Sequence, residues 1–222
     1  ACCAGPGRLD IRIRAPLSAA DDVDRTADLI RRIAGLQLVE ESLRPMEEML
    51  VERLRAAGKT IALAESCTGG LIGARLTTVP GCSEVFPGGL LAYSNTVKIE
   101  MLGVRPETLA AAGAVSAETA REMAVGARRQ FRADIGLAVT GIAGPGGGTP
   151  EKPVGQVWIA LSTEAGETAE FFRFAGTRDF IREGATQMAL DLLRRALSES
   201  KPQKRRPGGE ESFDSPPGFG YQ

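Results

Sequence analysis

The chain has 222 residues, 43% of them hydrophobic, which is enough for one domain of ordinary size with a buried core. Its 27 Lys and Arg residues nearly balance 28 Asp and Glu residues, so neither nucleic acid nor an anionic membrane is the expected partner, and a small molecule is favoured. Because the chain has no His, it cannot build a Ser-His-Asp or Cys-His nucleophile system, an HExxH zinc site or an imidazole base. A general base must therefore be Lys, Tyr, Asp or Glu.

The two ends of the chain lack the pattern of a packed domain. Residues 1–44 carry only a weak helical stripe of Leu29, Ile30 and Ile33, and we expect an N-terminal extension that is weakly helical or disordered. Residues 201–222 are rich in Pro, Gly and charge, which predicts a disordered tail. The apolar stretches are too short for a membrane span and the N-terminus does not resemble a signal peptide, so we expect a cytoplasmic protein.

Between these ends, helix-like and strand-like patterns alternate over a single domain, residues 45–200. The first helix is predicted to start near Pro45 and to stop at Gly58, and its inward face is Met46, Met49, Leu50 and Leu54. The patterns that follow predict a buried strand over 60–66, a helix over 69–81 ended by Pro80 and Gly81, a strand with a glycine irregularity over 84–94, and a short helix over 95–104.

The second half of this domain predicts a helix, three strands and a closing helix. The helix covers 116–131 with Ser116 as its N-cap, the strands cover 135–141, 154–162 and 167–175, and the closing helix covers 177–197, with Ile181, Ala185, Met188, Leu192 and Leu193 facing inward. Such alternation predicts an α/β fold, a three-layer α/β/α sandwich. The last two strands are separated by a hairpin-like spacing, so we expect a mixed, mostly parallel sheet.

The first candidate segment for chemistry runs from Glu65 to Gly70, where a predicted strand ends and a helix begins. Ligands collect at this end of strands in open α/β sheets. Ser66 would be exposed at a tight turn, which suits a nucleophile, and the neighbouring amides would form an oxyanion hole. The alternative is a helix cap and turn, because Ser and Thr before Gly are common there too. The amides that would form the oxyanion hole belong to Cys67, Thr68, Gly69 and Gly70.

The second candidate segment runs from Tyr93 through Asn95 to Lys98, at the end of the next strand. With no His available, a desolvated and neutral Lys98 could accept the proton of Ser66, because burial disfavours the ammonium form. Tyr93 could relay a proton or donate one to a leaving nitrogen. The alternative is a solvated lysine beside a tyrosine at the rim.

The third candidate segment is a glycine-rich stretch from Thr140 to Gly148. Glycines such as Gly141 and Gly144 allow the backbone to approach a ligand closely and supply amide donors for an anion. The alternative is a mobile surface loop. Further along, Arg178 opens the closing helix, where a phosphate or carboxylate could bind, although it could also be one exposed charge.

Taken in order, five stretches from Leu63 to Leu190 resemble the C-terminal domain family of the competence-damage protein CinA, whose stand-alone members are nicotinamide-nucleotide amidases. The stretches are LAESCTGGLIGARLTTVPGCS, YSNTVKIEMLGV, GAVSAETAREMAVGAR, VTGIAGPGGGTPEKPVGQVWIAL and GTRDFIREGATQMAL. The resemblance implies an α/β/α fold with a mixed sheet, often in homo-oligomers, and deamidation of nicotinamide mononucleotide with release of ammonia. The family's serine, tyrosine and lysine fall on Ser66, Tyr93 and Lys98, and its helix-start arginine resembles Arg178.

Two departures from the family pattern stand out. Thr177 occupies the place before Arg178 where the family usually has an acidic residue. Residues 1–44 are too few, and unlike in pattern, to be the larger N-terminal domain of two-domain members, so no pyrophosphatase activity is expected.

The resulting hypothesis is acyl transfer from the carboxamide of a small nucleotide. Ser66 attacks the carboxamide carbon, Lys98 takes its proton, and Tyr93 assists the leaving ammonia. Neither a metal nor an organic cofactor is expected, because the chain lacks His and its four cysteines form no CxxC pair. The rival hypothesis is a non-catalytic module that binds a pyridine nucleotide through the glycine-rich stretch and Arg178.

Overall fold

The computed structural model describes residues 2–5, 8–11, 13, 16–34 and 44–199. Near the N-terminus, two short strands that the sequence pattern does not predict pair antiparallel. The weak apolar stripe lies on a helix, where Leu29 and Ile33 are exposed. The predicted tail, residues 201–222, lies outside the described residues. These N-terminal elements are β1, Cys2–Gly5; β2, Arg8–Ile11; and α1, Ala20–Ala34, which follows the 3-10 turn Leu17–Ala19.

The remaining elements alternate helix and strand much as the sequence predicts. None of the helices in the described part of the chain is long and apolar enough to cross a membrane. The elements are α2, Met46–Ala57; β3, Ile61–Glu65; α3, Leu71–Leu76; the 3-10 turn Cys82–Glu84; β4, Gly88–Leu91; α4, Asn95–Leu102; α5, Pro106–Ala112; α6, Ala117–Gln130; β5, Ile135–Gly141; β6, Gln156–Thr163; β7, Gly166–Arg173; and α7, Arg178–Glu199.

The five central strands form one mixed sheet in the order β4-β3-β5-β6-β7. Strand β3 runs parallel to both β4 and β5, whereas β6 runs antiparallel to β5 and β7. Four of the five strands therefore point the same way, but parallel and antiparallel neighbours are equally frequent. Glu65, the last residue of β3, pairs with Leu91 in β4 and Val139 in β5. The segments that leave these three strands consequently start side by side.

Helices cover both faces of the sheet, which confirms the predicted three-layer sandwich. On one face α2, α3 and α7 pack on large side chains such as Ile61 and Leu63. On the other face α6 packs on small ones such as Ala62 and Ala64, and α4 and α5 pack beside α6. Small residues let α6 lie very close to the sheet, since a Cβ atom at Gly136 would lie 2.0 Å from a backbone carbonyl oxygen of α6. The alternation of large and small residues along β3 thus gives each face its own kind of helix packing.

Helix ends follow the predicted chemistry in most places. Ser116 caps α6 as predicted, because its Oγ accepts a hydrogen bond of 3.1 Å from the amide of Thr119. On α7 the predicted inward residues are buried, except that Met188 is only partly so. Gly58 ends α2 in the left-handed conformation, and Pro45 lies just before its first residue.

Three elements differ from their predictions. Helix α3 ends at Leu76 rather than near Pro80, because the hydroxyls of Thr77 and Thr78 donate to carbonyls of its last turn, at 2.9 Å and 2.7 Å. The strand predicted over 84–94 covers only Gly88–Leu91, and the 3-10 turn Cys82–Glu84 includes the first of its predicted residues. The short helix α5 was not predicted.

Candidate active site

Ser66 lies directly after β3 in a tight turn whose backbone is hydrogen-bonded. Its amide donates to the carbonyl oxygen of Val139 at 3.0 Å, and its carbonyl accepts from the amide of Gly69 at 3.1 Å. Gly69 and Gly70 have φ angles of +63° and +95°, a conformation that side chains disfavour. The turn therefore requires glycine at both positions, and it holds Ser66 with its side chain almost buried.

Glu65, the residue before Ser66, stabilises this turn through its carboxylate. Glu65 is buried, and its carboxylate accepts hydrogen bonds from the amides of Gly70 at 2.9 Å, Ile72 at 3.2 Å and Gly73 at 2.8 Å. These amides belong to the first turn of α3, where backbone N–H groups have no intrahelical acceptor. Glu65 thus caps the helix from within the preceding strand and fixes the turn that carries Ser66.

Lys98 extends from α4 to the same place. Its side chain is 1% exposed, and its Nζ lies 3.3 Å from Ser66 Oγ, 2.6 Å from the carbonyl oxygen of Ala92 and 3.4 Å from that of Tyr93. Burial lowers the pKa of Lys98, and the nearby Cys67 opposes that shift. In the neutral amine, the two carbonyls can accept its two N–H groups while the lone pair faces the serine hydroxyl. This geometry suits a base that acts on Ser66.

The thiol of Cys67, next to Ser66, is poorly suited to act as a nucleophile. The thiol is buried, and burial raises its pKa to about 12. Its sulfur packs against the start of the glycine-rich stretch, since a Cβ atom at Gly141 would lie 3.0 Å from Sγ. Close packing of Gly141 on Cys67 brings the end of β5 against the turn formed by residues 66–70, here called the serine turn.

Two of the four predicted oxyanion donors are already engaged. The amide of Gly69 donates to the carbonyl of Ser66, and the amide of Gly70 donates to Glu65. Within the described part of the chain, the amides of Cys67 and Thr68 donate to no oxygen atom, although both lower the pKa of the neighbouring thiol. Since a thiol is a weak acceptor, these two amides are the candidate oxyanion donors that remain.

Tyr93, Arg178 and Gly144 meet at a more exposed part of the site. Arg178 donates from Nη2 to the hydroxyl of Tyr93 at 2.9 Å and from Nη1 to the carbonyl oxygen of Gly144 at 2.7 Å. The Tyr93 side chain is 63% exposed, and the residue contacts Lys98 through its carbonyl rather than its hydroxyl. Thr177, where the family pattern has an acid, accepts a hydrogen bond from the amide of Phe180 at 3.3 Å and so caps α7.

Two other predicted contact residues have different surroundings. Thr140 is buried, and its hydroxyl donates to the carbonyl oxygen of Ala114 at 2.8 Å, which ties β5 to the segment before α6. Asn95 is exposed as the first residue of α4, behind the N-cap Ser94. Neither side chain is hydrogen-bonded to Ser66 or Lys98.

Arg182 is a residue of the site that sequence reasoning missed. It lies one helical turn after Arg178 and donates from Nη2 to the carbonyl oxygen of Thr68 at 3.0 Å. The spacing of four residues on a helix that begins at Arg178 was the available signal, because it places both arginines on one face. No group of three or more Cys, Asp and Glu side chains in the described ranges is placed to hold a metal ion.

Comparison with known sequences points to one family. The family model of the CinA C-terminal domain matches residues 43–197. A CinA-like protein of Synechocystis is 44% identical over 204 residues, which cover 89% of this chain and 49% of that protein. A CinA-like protein of Citrifermentans bemidjiense is 46% identical over 201 residues, which cover 90% of this chain and 49% of that protein. The chain thus spans about half the length of these curated relatives.

Comparison with solved structures gives the same result. A competence/damage inducible protein from Agrobacterium tumefaciens has 42% sequence identity and a TM-score of 0.65, over 72% of this chain and 100% of that chain. A CinA superfamily protein from Klebsiella pneumoniae has 32% identity and a TM-score of 0.68, over 70% of this chain and 97% of that chain. At these identities the likeness covers both sequence and fold.

Proposed function

This chain belongs to the CinA C-terminal domain family, and on that premise we propose that it is a nicotinamide-nucleotide amidohydrolase. The reaction converts nicotinamide mononucleotide and water to nicotinate mononucleotide and ammonia. The observation that carries the proposal is the 3.3 Å approach of the buried Lys98 Nζ to Ser66 Oγ at the end of β3. A serine activated by an adjacent base is what acyl transfer from a carboxamide requires, and this chain has no His to supply that base.

The first half of the reaction forms an ester on Ser66. The neutral amine of Lys98 takes the hydroxyl proton while Ser66 Oγ attacks the carboxamide carbon. The carbonyl oxygen becomes an oxyanion, which the amides of Cys67 and Thr68 stabilise. Tyr93 then donates its hydroxyl proton to the amide nitrogen, the carbon–nitrogen bond breaks, and ammonia leaves.

The second half hydrolyses the ester and restores both proton carriers. Water attacks the acyl carbon and gives its proton to the phenolate oxygen of Tyr93. The carbon–oxygen bond to Ser66 breaks, and the serine recovers its proton from the ammonium group of Lys98. While the phenolate exists, its charge is balanced by the guanidinium of Arg178, which lies 2.9 Å from that oxygen.

The more exposed part of the site supports a nucleotide as the substrate. Arg178 is exposed at the first residue of α7, where a helix N-terminus and a guanidinium favour an anion such as a phosphate. Its bond to the carbonyl of Gly144 keeps the glycine-rich stretch next to this position. The substrate's phosphate is accordingly assigned to Arg178 and its carboxamide to Ser66.

The test is to incubate the purified chain with nicotinamide mononucleotide and to quantify ammonia and nicotinate mononucleotide together. Equal amounts of the two products, absent with the Ser66→Ala variant, are expected. Saturable binding in calorimetry without either product would support the non-catalytic nucleotide-binding module instead. No turnover over a broad pH range would reject the enzyme proposal for this substrate.

Two further properties remain predictions. A homo-oligomer is what the family resemblance implies, and light scattering on the purified chain measures its mass directly. A cytoplasmic location is expected from the sequence pattern, and cell fractionation tests it.

A further inference from the structure

The serine turn is held from two sides. From inside, the carboxylate of Glu65 binds three amides at the start of α3. From outside, Arg182 of α7 donates to the carbonyl oxygen of Thr68 at 3.0 Å. The outer contact joins a helix distant in sequence to the peptide two residues beyond the proposed nucleophile.

The surroundings of Arg182 show how closely it fits this turn. Its side chain is 27% exposed, and the carboxylate of Asp179 is 3.5 Å from Nη1. A Cβ atom at Gly69 would lie 3.4 Å from Nη2, so the guanidinium fills the space beside that glycine. Thr68 itself is fully buried, and its hydroxyl has no hydrogen-bond partner within the described ranges. The hydroxyl therefore does not hold this residue in place, and the bond from Arg182 to its carbonyl does.

The peptide that Arg182 binds is also the one that closes the turn. The carbonyl of Thr68 and the amide of Gly69 belong to the same planar peptide unit. The carbonyl accepts from Arg182, and the amide donates to the carbonyl of Ser66 at 3.1 Å. Rotation of this unit would break both bonds and so loosen the turn that carries the amides of Cys67 and Thr68.

We propose that Arg182 is a positioning residue for the amidohydrolase reaction, which orients the serine turn so that the amides of Cys67 and Thr68 face the developing oxyanion. The inference rests on the proposed function. Because an oxyanion site works only when its donors are already in place, loosening the turn weakens stabilisation of the transition state more than binding of the substrate.

The kinetic test compares Arg182→Ala with Arg182→Gln, whose amide keeps a donor for the Thr68 carbonyl without the charge. With nicotinamide mononucleotide, Arg182→Ala should lower kcat roughly 10- to 100-fold with little change in KM, and Arg182→Gln should recover part of the loss. The pH dependence of kcat/KM should keep its midpoint, because Lys98 is untouched. The matched control is Arg194→Ala, which removes a second arginine of α7, buried and paired with Asp191 at 2.8 Å, and should retain the wild-type kcat.

Two kinetic outcomes would overturn the proposal. A higher KM for nicotinamide mononucleotide with unchanged kcat, absent for the ribonucleoside without phosphate, would make Arg182 a phosphate ligand. A kcat equal to that of the wild type in Arg182→Ala would show that the turn does not need it.

An activity-independent measurement separates this proposal from the proposed function. Amide hydrogen exchange of Gly69, followed by NMR, should be faster in Arg182→Ala than in the wild type and in Arg194→Ala. If the wild type shows no amidase activity but exchange accelerates as expected, the proposed function fails while the contact with the turn stands. Unchanged exchange of Gly69 contradicts the positioning role whatever the activity. If Arg182→Ala does not fold, Arg182→Gln carries the same comparison.

Discussion

The two parts of the candidate site differ sharply in how they are held. Ser66 and Lys98 are almost fully buried and are fixed by hydrogen bonds to the backbone of β5 and of the segment after β4. Tyr93 and Arg178 are exposed, and Arg178 donates hydrogen bonds to the Tyr93 hydroxyl and to the carbonyl oxygen of Gly144. The proposed nucleophile and its base are thus positioned by the protein core, whereas the proposed proton donor and the proposed phosphate ligand lie at the surface, where a substrate can contact them.

This difference predicts different kinetic effects for the two parts. Substitutions at the buried pair should slow the chemical step and so lower kcat, because Ser66 and Lys98 are already positioned before the substrate binds. At the exposed pair, substitution of Arg178 should weaken binding and so raise KM, whereas substitution of Tyr93, the proposed proton donor, should lower kcat.

The largest effect is expected from Ser66→Ala. Loss of the nucleophile should reduce kcat by at least about 1,000-fold, because the remaining groups can only bind and polarise the carboxamide. Ammonia release measured at saturating nicotinamide mononucleotide checks this value. The matched control is Ser162→Ala, which removes a buried hydroxyl without a partner in the described ranges, at the opposite end of the sheet. Full activity in Ser66→Ala would reject it as the nucleophile.

Substitution of Lys98 should be nearly as damaging and should separate charge from basicity. Lys98→Arg and Lys98→Met should each lower kcat by about 100- to 10,000-fold, because a guanidinium keeps its proton and a thioether accepts none. Steady-state kinetics of both variants at one pH provide the comparison. If Lys98→Arg retains most of the turnover, Lys98 is an electrostatic holder of substrate or oxyanion, and the proton goes to Tyr93 or water.

A smaller effect is expected at the exposed part of the site. Arg178→Ala should raise KM for nicotinamide mononucleotide about 10- to 100-fold, because one charge-assisted contact is lost, and kcat should change less. Arg173→Ala, which removes another exposed arginine at the end of β7, should leave both constants unchanged. Equal KM values for Arg178→Ala and the wild type would show that the substrate's phosphate does not bind at Arg178.

The smallest effect concerns stability. Burial lowers the pKa of Lys98 in the folded protein, so the unfolded chain binds more protons between the folded pKa and the ordinary value of 10.5. Lys98 therefore destabilises the fold below that window, and the penalty fades as pH rises through it. The melting temperature of Lys98→Met relative to the wild type should consequently fall by a few degrees from neutral to alkaline pH. A difference that stays constant with pH would contradict the shift.

Much of the buried part of the site was predictable from the sequence. Ser66 and Lys98 follow neighbouring parallel strands, and the ends of such strands lie at one edge of the sheet. Ser66 was predicted to lie in a tight turn, which the structure has, although Gly69 and Gly70 belong to that turn rather than to the helix predicted over 69–81. These predictions succeeded because local pattern and strand order determine where these residues lie.

The remaining contacts depend on tertiary packing, which local pattern does not specify. Arg182 reaches Thr68 only because α7 packs beside α3. Glu65 is one residue before the serine, yet its carboxylate accepts a hydrogen bond from an amide of the following helix, α3. The direction of Tyr93 is set by Arg178, 85 positions later in the chain.

In the proposed mechanism neutral Lys98 accepts the proton of Ser66, and the pH dependence of kcat/KM for the wild type measures whether it does. Ammonia release from nicotinamide mononucleotide is measured from about pH 5 to about pH 10, spanning the range over which a lysine with a lowered pKa loses its proton. Almost no activity is expected in acid, followed by a rise as Lys98 loses its proton below the ordinary lysine value of 10.5. Activity that is independent of pH over this range, or that is highest in acid, would contradict this mechanism.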